Sequence, residues 1–123
     1  MSRVLVVDTD PSVVALCLFA LEFEGHSAVG YTDLPAALAM ARTERFDVVV
    51  ADLPAGEDAS LLDELEEIIG RANASMLLIA EDTLRLLQIL TTADRADIYG
   101  LAKPFDVGEF VDEVQRLAHA RAA

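Results

Sequence analysis

Short apolar runs that stop abruptly at a charged residue limit what this chain can fold into. The clearest is Phe46-Asp47-Val48-Val49-Val50-Ala51-Asp52. A run this short and this rich in valine reads as a strand buried on both faces, as strands are inside a parallel sheet. Such a strand hands its last residue to the carboxyl edge of the sheet, where open α/β folds keep their sites. Asp52 is therefore expected at the mouth of a crevice. Val4 to Val7 runs into Asp8 in the same manner, and Tyr99 to Ala102 runs into Lys103.

Between these runs the chain carries helix signals. Asp10 before Pro11 is an N-cap followed by proline at the first helical position, with apolar residues from Val13 to Phe23 and Gly25 as the stop. A weaker strand, Ser27 to Tyr31, precedes a helix capped by Thr32 or Asp33, with Pro35 in its first turn and Ala36, Ala37, Leu38, Met40 and Ala41 on its apolar face. After Asp52, Leu53 to Asp58 reads as a loop, and Ser60 with Asp63 caps a third helix, Leu61 to Ile69, closed by Gly70. Met76 to Ala80 is a fourth strand. A fourth helix runs from Asp82 or Thr83 to about Ala93, a fifth strand from Ile98 to Ala102, and Asp106 with Glu109 opens a last helix.

Five strand–helix units without a linker predict one α/β domain over residues 1–123, a parallel sheet covered by helices on both faces. Right-handed crossovers leave few topologies, and five strands fit the flavodoxin-like doubly wound (βα)5 order 2-1-3-4-5. Its switch point, between the first and third strands, sets Asp8 beside Asp52.

Composition removes several functions. The formal net charge is −13, with 9 Lys plus Arg against 22 acids. This balance argues against direct binding to nucleic acid or to an anionic membrane surface, both of which rely on cationic side chains. The single cysteine, Cys17, lies in an apolar run and reads as a core thiol. The chain opens into a strand without a signal-peptide pattern, and Val13 to Phe23 is too short to span a bilayer, so a soluble cytoplasmic protein is expected. His26 and His119 have no partner at ligand spacing and read as surface residues.

Two carboxylates and a lysine at one sheet edge suit phosphoryl chemistry. Carboxylates are hard donors for Mg²⁺, a lysine adds a point charge to phosphoryl oxygens, and an aspartate can itself be the nucleophile. No glycine-rich phosphate loop follows the first strand.

In these residues the chain resembles a response-regulator receiver domain over essentially its whole length. The likeness rests on Val4-Leu5-Val6-Val7-Asp8 with Asp10-Pro11, on Asp47 to Asp52, and on Lys103-Pro104-Phe105. The resemblance implies that Asp52 accepts a phosphoryl group and that Asp8, Asp52 and the carbonyl of Pro54 bind Mg²⁺, with Thr9 or Asp10 as a further oxygen donor. It implies that Lys103 contacts the acyl phosphate and that the Lys103-Pro104 bond is cis. It further implies a histidine kinase or phosphotransfer protein as donor, and an output partner or homodimer on the face of the fourth helix, fifth strand and last helix. Such a domain signals and is no enzyme beyond dephosphorylating itself.

Three positions depart from the pattern. Thr9 stands where a second acid is usual, Ala80 where a Ser or Thr hydroxyl is usual, and Gly100 where an aromatic is usual, with Tyr99 one place away. The first weakens Mg²⁺ binding, and the second removes a hydrogen bond to the phosphoryl group. The same residues therefore also fit a pseudo-receiver that works as a phosphorylation-independent interaction module. A small phosphate-handling enzyme is the third reading. The acid block from Glu57 to Glu67 is a solvated helix face or a docking surface for a basic partner.

Overall fold

A computed structural model describes residues 2–52, 63, 66–67, 74–92 and 98–122. The elements are β1 (Arg3–Val7), α1 (Pro11–Phe23), β2 (Ser27–Tyr31), α2 (Leu34–Thr43), β3 (Val48–Asp52), β4 (Ser75–Ala80), α3 (Thr83–Thr92), β5 (Ile98–Ala102) and α4 (Val107–Ala122). The helix expected over Leu61 to Ile69 and its Ser60 cap lie largely outside the described residues, although Asp63, Glu66 and Glu67 are helical. All strand pairings are parallel, in the order β2-β1-β3-β4-β5. This is the doubly wound order expected from the sequence.

The sheet is buried on both faces because its strands are apolar at odd and even positions alike. Leu5, Val7, Val49, Ala51, Met76 and Leu78 pack under α2 and α3, against Ala37, Leu38 and Leu86. Val4, Val6, Val48, Val50, Leu77 and Ile79 pack under α1 and α4, against Leu21, Phe110, Val114 and Leu117. Asp47 knots the amino edge. Its carboxylate accepts the Arg3 N–H at 2.8 Å, and its own N–H and carbonyl bond to Arg3 and Ser75.

The helix starts follow the capping residues. The Asp10 side chain accepts the Ser12 N–H at 2.9 Å, Asp82 accepts that of Arg85 at 3.1 Å, and Asp106 accepts those of Gly108 and Glu109. Asp33 occupies the N-cap of α2 without a side-chain bond to it. Gly25 ends α1 with a φ of 89°, a left-handed turn that glycine adopts without steric cost.

α1 carries more apolar residues than the sheet covers. Val14, Cys17, Ala20 and Leu21 are buried, but Leu16 and Phe23 point to solvent with Phe19, whose ring stacks on Phe23 at 6.4 Å. The helix is apolar almost all round, so only one of its stripes can reach the sheet. Leu77→Ala, at a position with no exposure, is expected to cost about 2–5 kcal/mol, against about 0.5 kcal/mol or less for Phe19→Ala at the exposed site. Urea unfolding of the two variants measures both.

Candidate functional site at the carboxyl edge of the sheet

Three strand ends meet at one point. Asp8 follows β1 and is fixed by its N–H, which donates to the Tyr31 carbonyl at 3.2 Å. Asp52 is the last residue of β3. Lys103 follows β5, and its N–H donates to the Ala80 carbonyl at 2.8 Å, extending the β4–β5 ladder by one step. The Lys103 Nζ lies 3.0 Å from Asp8 Oδ2 and 2.8 Å from Asp52 Oδ1. The constellation expected from the sequence is thus assembled, and the lysine bridges the two acids.

The cluster is largely withdrawn from water, with side-chain exposures of 4% for Asp8, 13% for Asp52 and 19% for Lys103. Burial works against the Lys103 ammonium. The hydrogen bonds and charges of Asp52 and Asp8 outweigh it and hold the lysine pKa above its ordinary value of 10.5. Lys103 is also the only lysine among the 123 residues, the other basic side chains being arginine or histidine. The Lys103-Pro104 bond is cis.

The surrounding residues divide by what their oxygens already do. Asp8 Oδ1 accepts the Asp10 N–H at 2.9 Å, which bends the chain into α1. Asp10 spends one carboxylate oxygen on the helix cap. Thr9 is exposed on the bend between them. Pro54 lies outside the described residues. Among the described residues no group of three His, Cys, Asp or Glu side chains is placed to hold a metal ion. The donor set nevertheless fits Mg²⁺. Asp8 and Asp52 bring hard carboxylate oxygens to one edge, and this ion commonly takes only one or two carboxylates from a protein, although the point between Asp8 Oδ2 and Asp52 Oδ1 is taken by the Lys103 ammonium.

The departures from the expected pattern have clear placements. Ala80 ends β4 fully buried and offers no hydroxyl at this edge. The β4–β5 register pairs Leu78 with Gly100 and Ala80 with Ala102, so the slip that would bring Tyr99 to the place of Gly100 does not occur. Tyr99 packs on the opposite sheet face under Arg116, whose guanidinium carbon is 4.9 Å from the ring centre. A Cβ on Gly100 would stand 2.7 Å from Leu90 Cδ1 and 3.1 Å from Leu86, so α3 fills that space.

Cys17 is buried, and desolvation, with the Asp8 charge adding to it, pushes its thiol up to about 11. It is inert as a nucleophile, as expected of a core cysteine. His119 is exposed, in line with the surface reading, but His26 departs from it. His26 is half-buried with neither ring nitrogen bonded among the described residues, and it lines a groove with His119 at the amino edge of the sheet. Residues 93 apart in sequence gave no spacing signal for this meeting.

No protein-family model matches the chain. A receiver domain of a Francisella response regulator has a TM-score of 0.79 and 25% identity, covering 98% of each chain. This chain has the response-regulator receiver fold. A CheY-like receiver protein from Methanospirillum hungatei agrees in fold with a TM-score of 0.80, at 20% identity over 99% of this chain and 97% of that one. In sequence, the chain is 35% identical over 118 residues to the probable transcriptional regulatory protein TcrX of Mycobacterium tuberculosis. That match covers 93% of this chain and 48% of TcrX, so the receiver-like chain spans about half the length of this curated relative. Among the described residues no helix is long and apolar enough to cross a membrane.

With a single lysine, protein labelled with ¹³C at the lysine ε-carbon gives one resonance. Its titration midpoint is expected above 10.5 and lower in Asp52→Asn. A folded-state value above the unfolded one means that the ammonium's stabilisation is complete below the ordinary lysine range and is lost as pH rises through the folded value. The urea midpoint of the native chain should therefore fall at alkaline pH, and that fall should shrink in Lys103→Met.

Proposed function

We propose that the chain is the phosphoryl-accepting receiver of a two-component system, loaded on Asp52 by a histidine kinase or phosphotransfer protein. The observation that carries this reading is the convergence of Asp8, Asp52 and Lys103 at the β1–β3 switch point. In the transfer, a carboxylate oxygen of Asp52 attacks the phosphorus of a phosphohistidine. The P–N bond breaks, and its electron pair leaves with the imidazole nitrogen, which takes up a proton as required. Later attack by water on the acyl phosphate releases inorganic phosphate and restores the carboxylate. Asp8, Asp52 and the Pro54 carbonyl would hold Mg²⁺, with the Thr9 hydroxyl or an Asp10 oxygen at its edge. When bound, the ion neutralises charge on the transferring phosphoryl oxygens. Lys103 then passes from the Asp52 carboxylate to the phosphoryl oxygens.

A second reading is favoured by Ala80 and Gly100. A missing hydroxyl at the end of β4 forfeits a charge-assisted bond of roughly 1.5–3 kcal/mol to a phosphoryl group. α3 is meanwhile packed directly onto the Gly100 backbone. A pseudo-receiver would use its surface alone, and Leu84 and Leu87 of α3, 67% and 53% exposed, offer an apolar contact for an output partner or a second copy.

Intact-mass measurement after incubation with acetyl phosphate separates the two readings. A gain of one phosphoryl group that needs Mg²⁺ and disappears in Asp52→Asn is expected. No gain at any Mg²⁺ concentration, with acetyl phosphate or with the cognate kinase, would leave the pseudo-receiver. Thr9→Asp, at an exposed site, adds a carboxylate and should lower the Mg²⁺ concentration for half-maximal phosphorylation at least several-fold.

A further inference from the structure

A cleft of about 500 Å³ opens beside the acid–lysine cluster, between α1 and the chain that leaves β5. Val13, Leu16 and Cys17 line one side, and Phe105, Val107 and Phe110 the other. The Phe105 and Phe110 rings are tilted against each other with centres 5.7 Å apart. The volume is that of a small organic ligand, and the walls are mainly hydrocarbon.

The charged residues at the cleft decide the sign of what enters. Lys103 reaches it, but its ammonium is already bonded to Asp8 and Asp52 and is poorly placed to serve a third anion. Asp10 and Glu81 also line the cleft, and both are exposed carboxylates. Around them the chain carries a net −13. An anion would meet this field unfavourably, whereas a cation gains from it.

We propose that the cleft binds a small amphipathic cation. An aryl or alkyl body would lie between Leu16 and the Phe105–Phe110 pair, and an amine would face Asp10 and Glu81. Binding of this kind needs no phosphoryl group on Asp52, so it succeeds or fails independently of the receiver chemistry.

The test is an amide NMR titration of the whole chain with 3-phenylpropylamine, 3-phenylpropan-1-ol and 3-phenylpropionate, three probes that share a body and differ in head group. Saturable shifts clustered on Val13, Leu16, Phe105, Val107 and Phe110 are expected. The amine should bind at least about fivefold more tightly than the carboxylate, with the alcohol between them. Glu81→Lys, at an exposed position outside the core, should weaken the amine two- to fivefold, roughly the worth of one surface charge contact, and strengthen the carboxylate. Leu16→Arg should weaken all three. Equal affinities for the three probes, an amine preference unchanged in Glu81→Lys, or no saturable shift at millimolar concentration would each overturn the assignment.

Discussion

The ammonium of Lys103, held between Asp8 and Asp52, is the interaction on which this edge of the molecule depends. Two carboxylates converging in a largely dry site repel each other strongly, and burial raises the cost of leaving either charge uncompensated. The cation that resolves this comes from the far end of the chain. Its position is fixed by backbone bonds, since Lys103 continues the β4–β5 ladder and Asp8 continues the β1–β2 ladder. The parallel sheet therefore serves as a jig. It brings three strand ends to one line, and the side chains need only reach a few ångströms from there.

Much of this was legible because buried parallel strands write themselves plainly. Val48 to Asp52 and Met76 to Ala80 have too few residues and too many branched side chains to be anything else. Asp10, Asp82 and Asp106 announced the helix starts by chemistry that acts over two or three residues. The strand order followed from the handedness of crossovers and the number of strands.

What the sequence concealed depends on contacts between remote segments. α1 has almost no polar residue to mark its outer side, so periodicity could not tell Leu16 and Phe23 from Cys17 and Leu21. Tyr99 and Gly100 are neighbours in sequence but serve opposite sheet faces, and only the pairing of Leu78 with Gly100 settles which residue faces α3. The cleft is likewise invisible in one dimension, because its two walls come from opposite ends of the chain. Gly100 also changes how the fold is coupled. With Leu86 and Leu90 seated over its backbone, α3 rests on the sheet without an intervening ring. Motion of β5 at Gly100 would reach α3 through direct packing.

The solitary lysine sets how this chain meets amine-directed chemistry. Acylating enzymes, aldehyde fixatives and ester cross-linkers that target lysine require its ε-amine deprotonated. Among these 123 residues Lys103 is the only lysine, and its amine is kept as an ammonium against two acids and mostly out of water. A chain so built is a poor substrate for lysine acetylation. Acylation there discharges the cation and leaves Asp8 and Asp52 facing each other, so the same event that marks the protein also dismantles its site.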